Sequence, residues 1–263
     1  MSVEQGYAAV GALRMYYEVH GAARADQAPL VLVHGGGSMI ETNFAALIPL
    51  LTDTRQVIGV EEQGHGHTAW IDRPYTPENS ADDIAAVLQQ LKVPRADVLG
   101  FSSGAGVGLR LAMRHPSRVR RLIVASTFYR RDGLVDGFWD AVQNASLDAM
   151  PEVYKQADRK INPDPRHLEQ LFKQDSERTK SFEDWSDAEL QAVKAPTLVL
   201  IGDQDIVKPE HAARMARTIP GARLMVVPGN HGNYLGEVAA SDGDTSLLRV
   251  TVPFLTRFLG EDL

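Results

Sequence analysis

The sequence predicts an α/β protein with a mostly parallel central sheet, helices on both faces and an inserted helical cap. Three observations predict it. Short continuous apolar runs such as Pro29-Leu30-Val31-Leu32-Val33 have the character of strands buried on both faces of a parallel sheet. These runs alternate with segments whose apolar residues recur at helical spacing, the βαβ pattern that leads to a parallel sheet. From residue 127 to 194 the alternation stops, leaving amphipathic helical pieces broken at Gly133, Pro151, Pro163 and Pro165. The expected division is a core of residues 1–127 and 195–263 with a cap of residues 128–194.

Each element has its own local reason. Residues 6–21 alternate apolar and polar side chains around Gly11, and Leu13-Arg14-Met15-Tyr16-Tyr17-Glu18-Val19 is rich in strand formers, so an antiparallel hairpin is expected at a sheet edge. After the strand ending at Val33, residues 41–51 place Phe44, Leu47, Ile48 and Leu51 at helical spacing, and residues 56–60 are the next strand. The Gly-broken loop of residues 61–68 and a proline-marked stretch to Pro77 lead to a helix over 81–91. Asn79 and Ser80 offer its cap, and Ile84, Val87 and Leu91 its apolar face. Asp97-Val98-Leu99-Gly100-Phe101 reads as a strand running straight into a helix over 105–114. A further strand over 120–126 precedes the cap. Residues 195–202 restore the strand pattern, 209–217 form a helix with proline at its start, 222–227 are the last strand, and 247–259 close the chain as an amphipathic helix.

Composition narrows the function. A chain of 263 residues with 44% hydrophobic content can bury one large α/β core. The net charge of −7 and the absence of a long Lys/Arg run argue against nucleic acid or a membrane surface and favour a small uncharged partner. The absence of cysteine excludes disulfides, thiolate metal sites and a cysteine nucleophile. Met1-Ser2-Val3-Glu4-Gln5 does not begin a secretory pattern, and no stretch approaches the length of a membrane span, so a cytoplasmic protein is expected.

The chemistry centres on Gly100-Phe101-Ser102-Ser103-Gly104. A serine held in the sharp turn between strand and helix is crowded by the residues two before and two after it, where glycine fits. Gly100 and Gly104 meet that need around Ser102. Ser103 fails it, because its flanks are Phe101 and Ala105. The alternative is that either serine only caps the following helix. A serine hydroxyl is a weak nucleophile at neutral pH and needs a base, and the base needs an acid to orient it. In this topology the site forms at the carboxyl ends of the strands. Asp205 follows the strand ending at Gly202, and His231 follows the strand ending at Val227. The order serine, aspartate, histidine is that expected behind a G-x-S-x-G elbow. Asp203 is the rival acid, with a turn role as its alternative. An oxyanion formed on attack needs preorganised donors. The N–H of Ser103 is one, and Gly36 or Gly37, in the loop after His34, supplies the other. His65 and His67 lack a further ligand, so no metal is expected. The glycine runs at 35–37 and 104–108 lack the third glycine of a dinucleotide site and the lysine of a P-loop, so no cofactor is expected.

Taken together, these residues resemble the α/β-hydrolase superfamily, in its bacterial esterase-like branch with a small helical cap. The resemblance covers residues 13–258. It rests on His34-Gly35-Gly36-Gly37, Gln63-Gly64-His65-Gly66, Gly100-Phe101-Ser102-Ser103-Gly104, Gly202-Asp203-Gln204-Asp205 and Pro228-Gly229-Asn230-His231, in that order. It implies Ser102 as nucleophile, His231 as general base, Asp205 as its orienting acid, and the N–H groups of Gly36 and Ser103 as the oxyanion hole. Relatives that open epoxides or displace halide use an aspartate nucleophile, and Ser102 argues against both reactions. Where many relatives read Asp-x-Arg before the Gly-x-Gly loop, this chain has Glu61-Glu62-Gln63. Ser103 stands where a bulky residue often follows the nucleophile, and Gly232-Asn233 follow the base. The last two changes imply a roomier or more polar floor.

The expected activity is a cofactor-free serine hydrolase acting on carboxylic esters through an acyl-enzyme. Lactone, C–C bond and peracid chemistry are variants on the same residues, and a ligand-binding protein with an idle triad is the alternative of another class. Eight of the eighteen aromatic residues lie in the cap segment, Phe128, Tyr129, Phe138, Trp139, Tyr154, Phe172, Phe182 and Trp185. Most are expected to anchor it, while Phe138 and Trp139, with Gly37, are expected to line the pocket. A cap of this size encloses limited volume, which points to short or medium acyl or aryl esters.

Overall fold

A computed structural model of the chain describes residues 3–260. β1 (Val3–Val10) and β2 (Leu13–His20) form the expected antiparallel hairpin, with Gly11 in the turn at a φ of +57°. β3 (Leu30–Val33), β4 (Val57–Val60), β5 (Ala96–Phe101), β6 (Val119–Ala125), β7 (Thr197–Gly202) and β8 (Arg223–Val227) complete one sheet of order β1-β2-β4-β3-β5-β6-β7-β8. β2 runs antiparallel to β4, and every pair from β4 to β8 is parallel. Every residue of β3, β4, β5 and β7 is buried, which is why these strands read as unbroken apolar runs. β8 is an edge strand, and Leu224 and Val226 on it are exposed.

Alternate strand residues serve opposite faces. Val31 and Val33 pack with one helical layer, Leu30 and Leu32 with the other. The first layer holds α3 (Pro77–Gln90), α4 (Ser103–Arg114) and α9 (Pro209–Thr218), through Ile84, Val87, Val107, Leu111 and Met215. The second holds α1 (Ile40–Phe44), α2 (Ile48–Leu51) and α11 (Ser246–Gly260), through Phe44, Ile48, Leu51, Leu248 and Leu255.

Two boundaries differ from the sequence reading. The single helix expected over 41–51 is two short helices, because Pro49 lies in the first turn of α2 and cannot continue a helix from Ala45. The helix expected from 81 starts at Pro77, and its cap is Thr76, whose Oγ1 accepts the Asn79 N–H at 3.2 Å. Asn79 instead bonds the Pro74 carbonyl. Between β6 and β7 the chain forms α5 (Phe138–Asn144), α6 (Glu152–Ile161), α7 (Pro165–Lys180) and α8 (Asp187–Gln191), with one isolated bridge from Leu134 to Val207. Met150, Leu168 and Leu171 give this segment a small apolar cluster of its own. α10 (Val238–Ser241) follows β8. Among the described residues no helix is long and apolar enough to cross a membrane.

Candidate active site

Ser102 sits between β5 and α4 with φ 54° and ψ −121°, a conformation that L-residues adopt only under constraint. The constraint is visible. A Cβ on Gly100 would press into the carbonyl of Gly104 and the backbone of Ala105, and one on Gly104 would press into the carbonyls of Val33 and His34. Both positions therefore require glycine for space. The Ser102 side chain makes no capping bond to α4, so the capping role is not the one it plays.

His231 reaches Ser102 from the loop after β8. Its Nε2 lies 3.0 Å from Ser102 Oγ, and its Nδ1 lies 2.7 Å from Asp205 Oδ1. Asp205 Oδ1 also accepts the Val207 N–H at 3.1 Å, and Asp205 Oδ2 accepts the hydroxyl of Ser126. A carboxylate only accepts, so the single Ser126 proton goes to Asp205, and Tyr234, also bonded to Ser126 Oγ, must be the donor in that pair. Burial alone would raise the Asp205 pKa; the bond and charge of His231 and the Ser126 and Val207 donors outweigh it and hold the carboxyl below its usual range. Asp203, the rival acid, is exposed and accepts the Gly229 N–H at 2.8 Å, which ties down the loop that carries His231.

The loop after β3 faces Ser102 from the other side. His34 is fully buried, its Nε2 accepts the Glu62 N–H at 3.1 Å, and its proton therefore sits on Nδ1, 2.8 Å from the Gly35 carbonyl. Burial and the neighbouring charge of His65 lower its pKa and keep it neutral. Gly37 donates its N–H to Asp175 Oδ2 at 2.5 Å. Among the described residues, no hydrogen bond engages the N–H of Gly36 or of Ser103. Of the two glycines open on sequence grounds, Gly36 is thus the one left with a free donor.

Asp175 belongs to α7 and begins a buried charge network. His65 Nε2 lies 3.3 Å from Asp175 Oδ2 while its Nδ1 donates to the Gln63 carbonyl, and Arg178, also on α7, pairs with Glu62 at 3.1 Å. Burial opposes the charge on His65, Asp175 and Glu62, but the opposite charges win: the His65 pKa is raised and those of Asp175 and Glu62 are lowered. His67 turns away to Glu61. Among the described residues no group of three or more His, Cys, Asp or Glu is placed to hold a metal.

A family model for the alpha/beta hydrolase fold matches residues 28–145. A 2-hydroxy-6-oxo-2,4-heptadienoate hydrolase of Pseudomonas putida is 30% identical over 235 residues, spanning 79% of this chain and 83% of its own. The chain belongs to the α/β-hydrolase superfamily. A Caulobacter protein assigned as carbamate hydrolase RutD is 29% identical over 240 residues, 83% of this chain and 89% of its own. The crystal structure of a hydrolase from Pseudomonas aeruginosa matches with a TM-score of 0.74 at 26% identity, covering 98% of both chains. At this level the chain is a hydrolase.

In this α/β-hydrolase two cavities meet at Ser102 and His231. The larger, about 580 Å³, is lined by the apolar side chains of Phe128, Leu134, Phe138, Phe182 and Trp185 and by the charged ones of Arg110, Asp175 and Arg178. The smaller, about 390 Å³, lies between Tyr154, Gln204, Asn230 and Glu237. Gly36 borders both, and Ser103 the larger. Gly37 and Trp139, expected in the pocket, line neither cavity. Gly37 is turned away by its bond to Asp175, and Trp139 packs under Arg131, whose guanidinium lies 3.6 Å from the ring centroid and whose carbonyl accepts the indole N–H.

Sequence reasoning missed Ser126, Tyr234 and Asp175. Ser126 ends the run read as a strand, at the carboxyl end where this topology places its functional residues, so its position is a usable signal. Tyr234 and Asp175 carried none, since each acts through a partner 108 or more residues away in sequence.

Proposed function

We propose that this chain is a serine carboxylic ester hydrolase working through an acyl-enzyme. The observation that carries the reading is the continuous relay from Asp205 through His231 to Ser102, at 2.7 and 3.0 Å, opening on the junction of two cavities. Ser102 gives its proton to His231 Nε2 as Oγ attacks the ester carbonyl, and the Asp205 carboxylate steadies the imidazolium that forms. The charge on the carbonyl oxygen is met by the free N–H groups of Gly36 and Ser103. His231 then protonates the leaving alcohol, and a water activated by the same histidine releases the acid. No step calls for a cofactor.

The helices between β6 and β7 act in this reading as the cap that closes the larger cavity. Its aromatic wall and its volume fit short to medium acyl or aryl groups, since sites of this size enclose small ligands rather than long chains. The relatives are named for acting on carbonyl compounds, a carbamate and a 6-oxo acid, which agrees with attack on a carbonyl carbon.

The test is a fluorophosphonate probe with mass mapping of the adduct. Label on Ser102, lost in Ser102→Ala together with ester turnover, is the expected result. An unlabelled protein, or label on Ser103 with Ser102 free, overturns the proposal.

A further inference from the structure

The larger cavity contains polar groups that the acyl-transfer steps do not use. Asp175 borders it with one carboxylate oxygen already committed, Oδ2 taking the Gly37 N–H and facing His65. Among the described residues no hydrogen bond reaches Asp175 Oδ1. The Ser103 hydroxyl, on the same wall, is buried and has no partner. Both converge on the oxyanion loop: a Cβ built on Gly36 would lie 3.4 Å from Asp175 Oδ2 and 3.7 Å from Ser103 Oγ. The carboxylate is ionised, balanced by His65 and Arg178, so it accepts hydrogen bonds and offers none.

A fixed anion beside the place where an oxyanion forms has a chemical consequence. It disfavours acyl groups that bring negative charge or only acceptors to that wall, and it favours those that bring a donor. We propose that Asp175, with Ser103 Oγ, is the specificity-determining site for the acyl group, selecting substrates with an O–H or N–H on the atom next to the scissile carbonyl, such as α-hydroxyacyl or carbamoyl esters. This rests on the reading of Ser102 as nucleophile. The O–H or N–H donates a hydrogen bond to Asp175 Oδ1, while the Ser103 hydroxyl donates to the substrate's own hydroxyl oxygen or to its carbonyl oxygen. Ser103 Oγ, buried and without a partner, stays unpaired with a substrate that brings no acceptor, and Asp175 Oδ1 loses water to a substrate that gives no donor in return; both discriminate against that substrate.

The experiment compares phenyl glycolate with phenyl propionate, which differ only in a hydroxyl against a methyl group. For the wild-type protein, kcat/KM for the glycolate over that for the propionate, divided by the same ratio for hydroxide-catalysed hydrolysis, is expected to exceed about tenfold, the size of one charge-assisted hydrogen bond. Asp175→Asn is expected to collapse that ratio, and Ser103→Ala, which keeps the backbone N–H, to reduce it in part. A wild-type ratio equal to the chemical one overturns the proposal. So does an Asp175→Asn protein that loses both esters equally, since Asp175 then does no more than hold Gly37. Fluorophosphonate labelling runs alongside. Failure to label the wild type counts against Ser102 as nucleophile rather than against Asp175, and if only Asp175→Asn fails to label, the wild-type ratio decides.

Discussion

Replacing Asp205 by asparagine isolates what the carboxylate contributes, because the surrounding bonds dictate how the amide must sit. Asp205 Oδ1 accepts from both His231 Nδ1 and the Val207 N–H. An NH₂ group there would face two donors, so the amide oxygen takes that place and the NH₂ takes the place of Oδ2, against Ser126. Ser126 can accept if it turns its own proton to Tyr234, which is bonded to it and can reverse in turn. The imidazole then keeps its proton on Nδ1, and the substitution removes charge without changing tautomer. An ion pair about 4 Å apart at an effective dielectric constant of about 20 is worth about 4 kcal/mol, which is about 10³ in rate. That is smaller than the roughly 10⁴ seen where asparagine imposes the wrong tautomer in a serine-protease triad. The assay is kcat/KM on p-nitrophenyl butyrate at pH 8, with thermal melts to confirm folding. A loss under about tenfold, or a larger loss in Asp203→Asn, refutes Asp205 as the orienting acid. A loss of 10⁴ or more refutes the hydroxyl reversal.

Ser126→Ala removes one of the donors that hold the Asp205 carboxyl low, so its pKa rises; kcat/KM should fall by about tenfold, and the acid limb of the pH profile should move to higher pH. On a p-nitrophenyl ester series the best turnover should lie between acetate and roughly octanoate, which a 580 Å³ cavity accommodates; Phe138→Ala should move the optimum to longer chains. Trp139→Ala should leave the optimum in place and lower stability by about 2 kcal/mol, since its ring packs away from the cavity. Burial pushes the His211 pKa down to about 4, and its Nε2 accepts the Tyr129 N–H, so the folded protein holds it neutral while the unfolded chain protonates it near 6.5. The unfolded state therefore binds more protons between those values, and stability falls as pH drops through that window. Urea denaturation should show about 2 kcal/mol more loss from pH 7 to pH 5 in the wild type than in His211→Gln.

The features legible in the sequence were those set by neighbours in the chain. Strands buried on both faces must be apolar throughout, so the runs ending at Val33, Phe101 and Gly202 announced themselves. The elbow was legible because steric crowding at Gly100 and Gly104 acts over two residues on each side of Ser102. Asp205 and His231 were legible because a strand's carboxyl end is a local position, even though the distances joining them to Ser102 are not local. The broken helix at 41–51 was missed through a local signal that was available, Pro49.

Tertiary structure decided the rest, because those choices depend on which atoms from distant segments occupy the same few ångströms. Gly36 and Gly37 are alike as residues; only the arrival of Asp175 from α7, 138 positions from Gly37, spends one N–H and leaves the other. Phe138 and Trp139 are adjacent aromatic residues on one helix, and the fold turns one to the cavity and the other under Arg131. Asp203 and Asp205 are two residues apart, and it is burial among Ser126, Val207 and His231 that makes one a charge-bearing partner while the other stays at the surface. Periodicity and spacing carry the backbone's local preferences; the pairing of buried polar groups is settled only when the sheet brings its strand ends together.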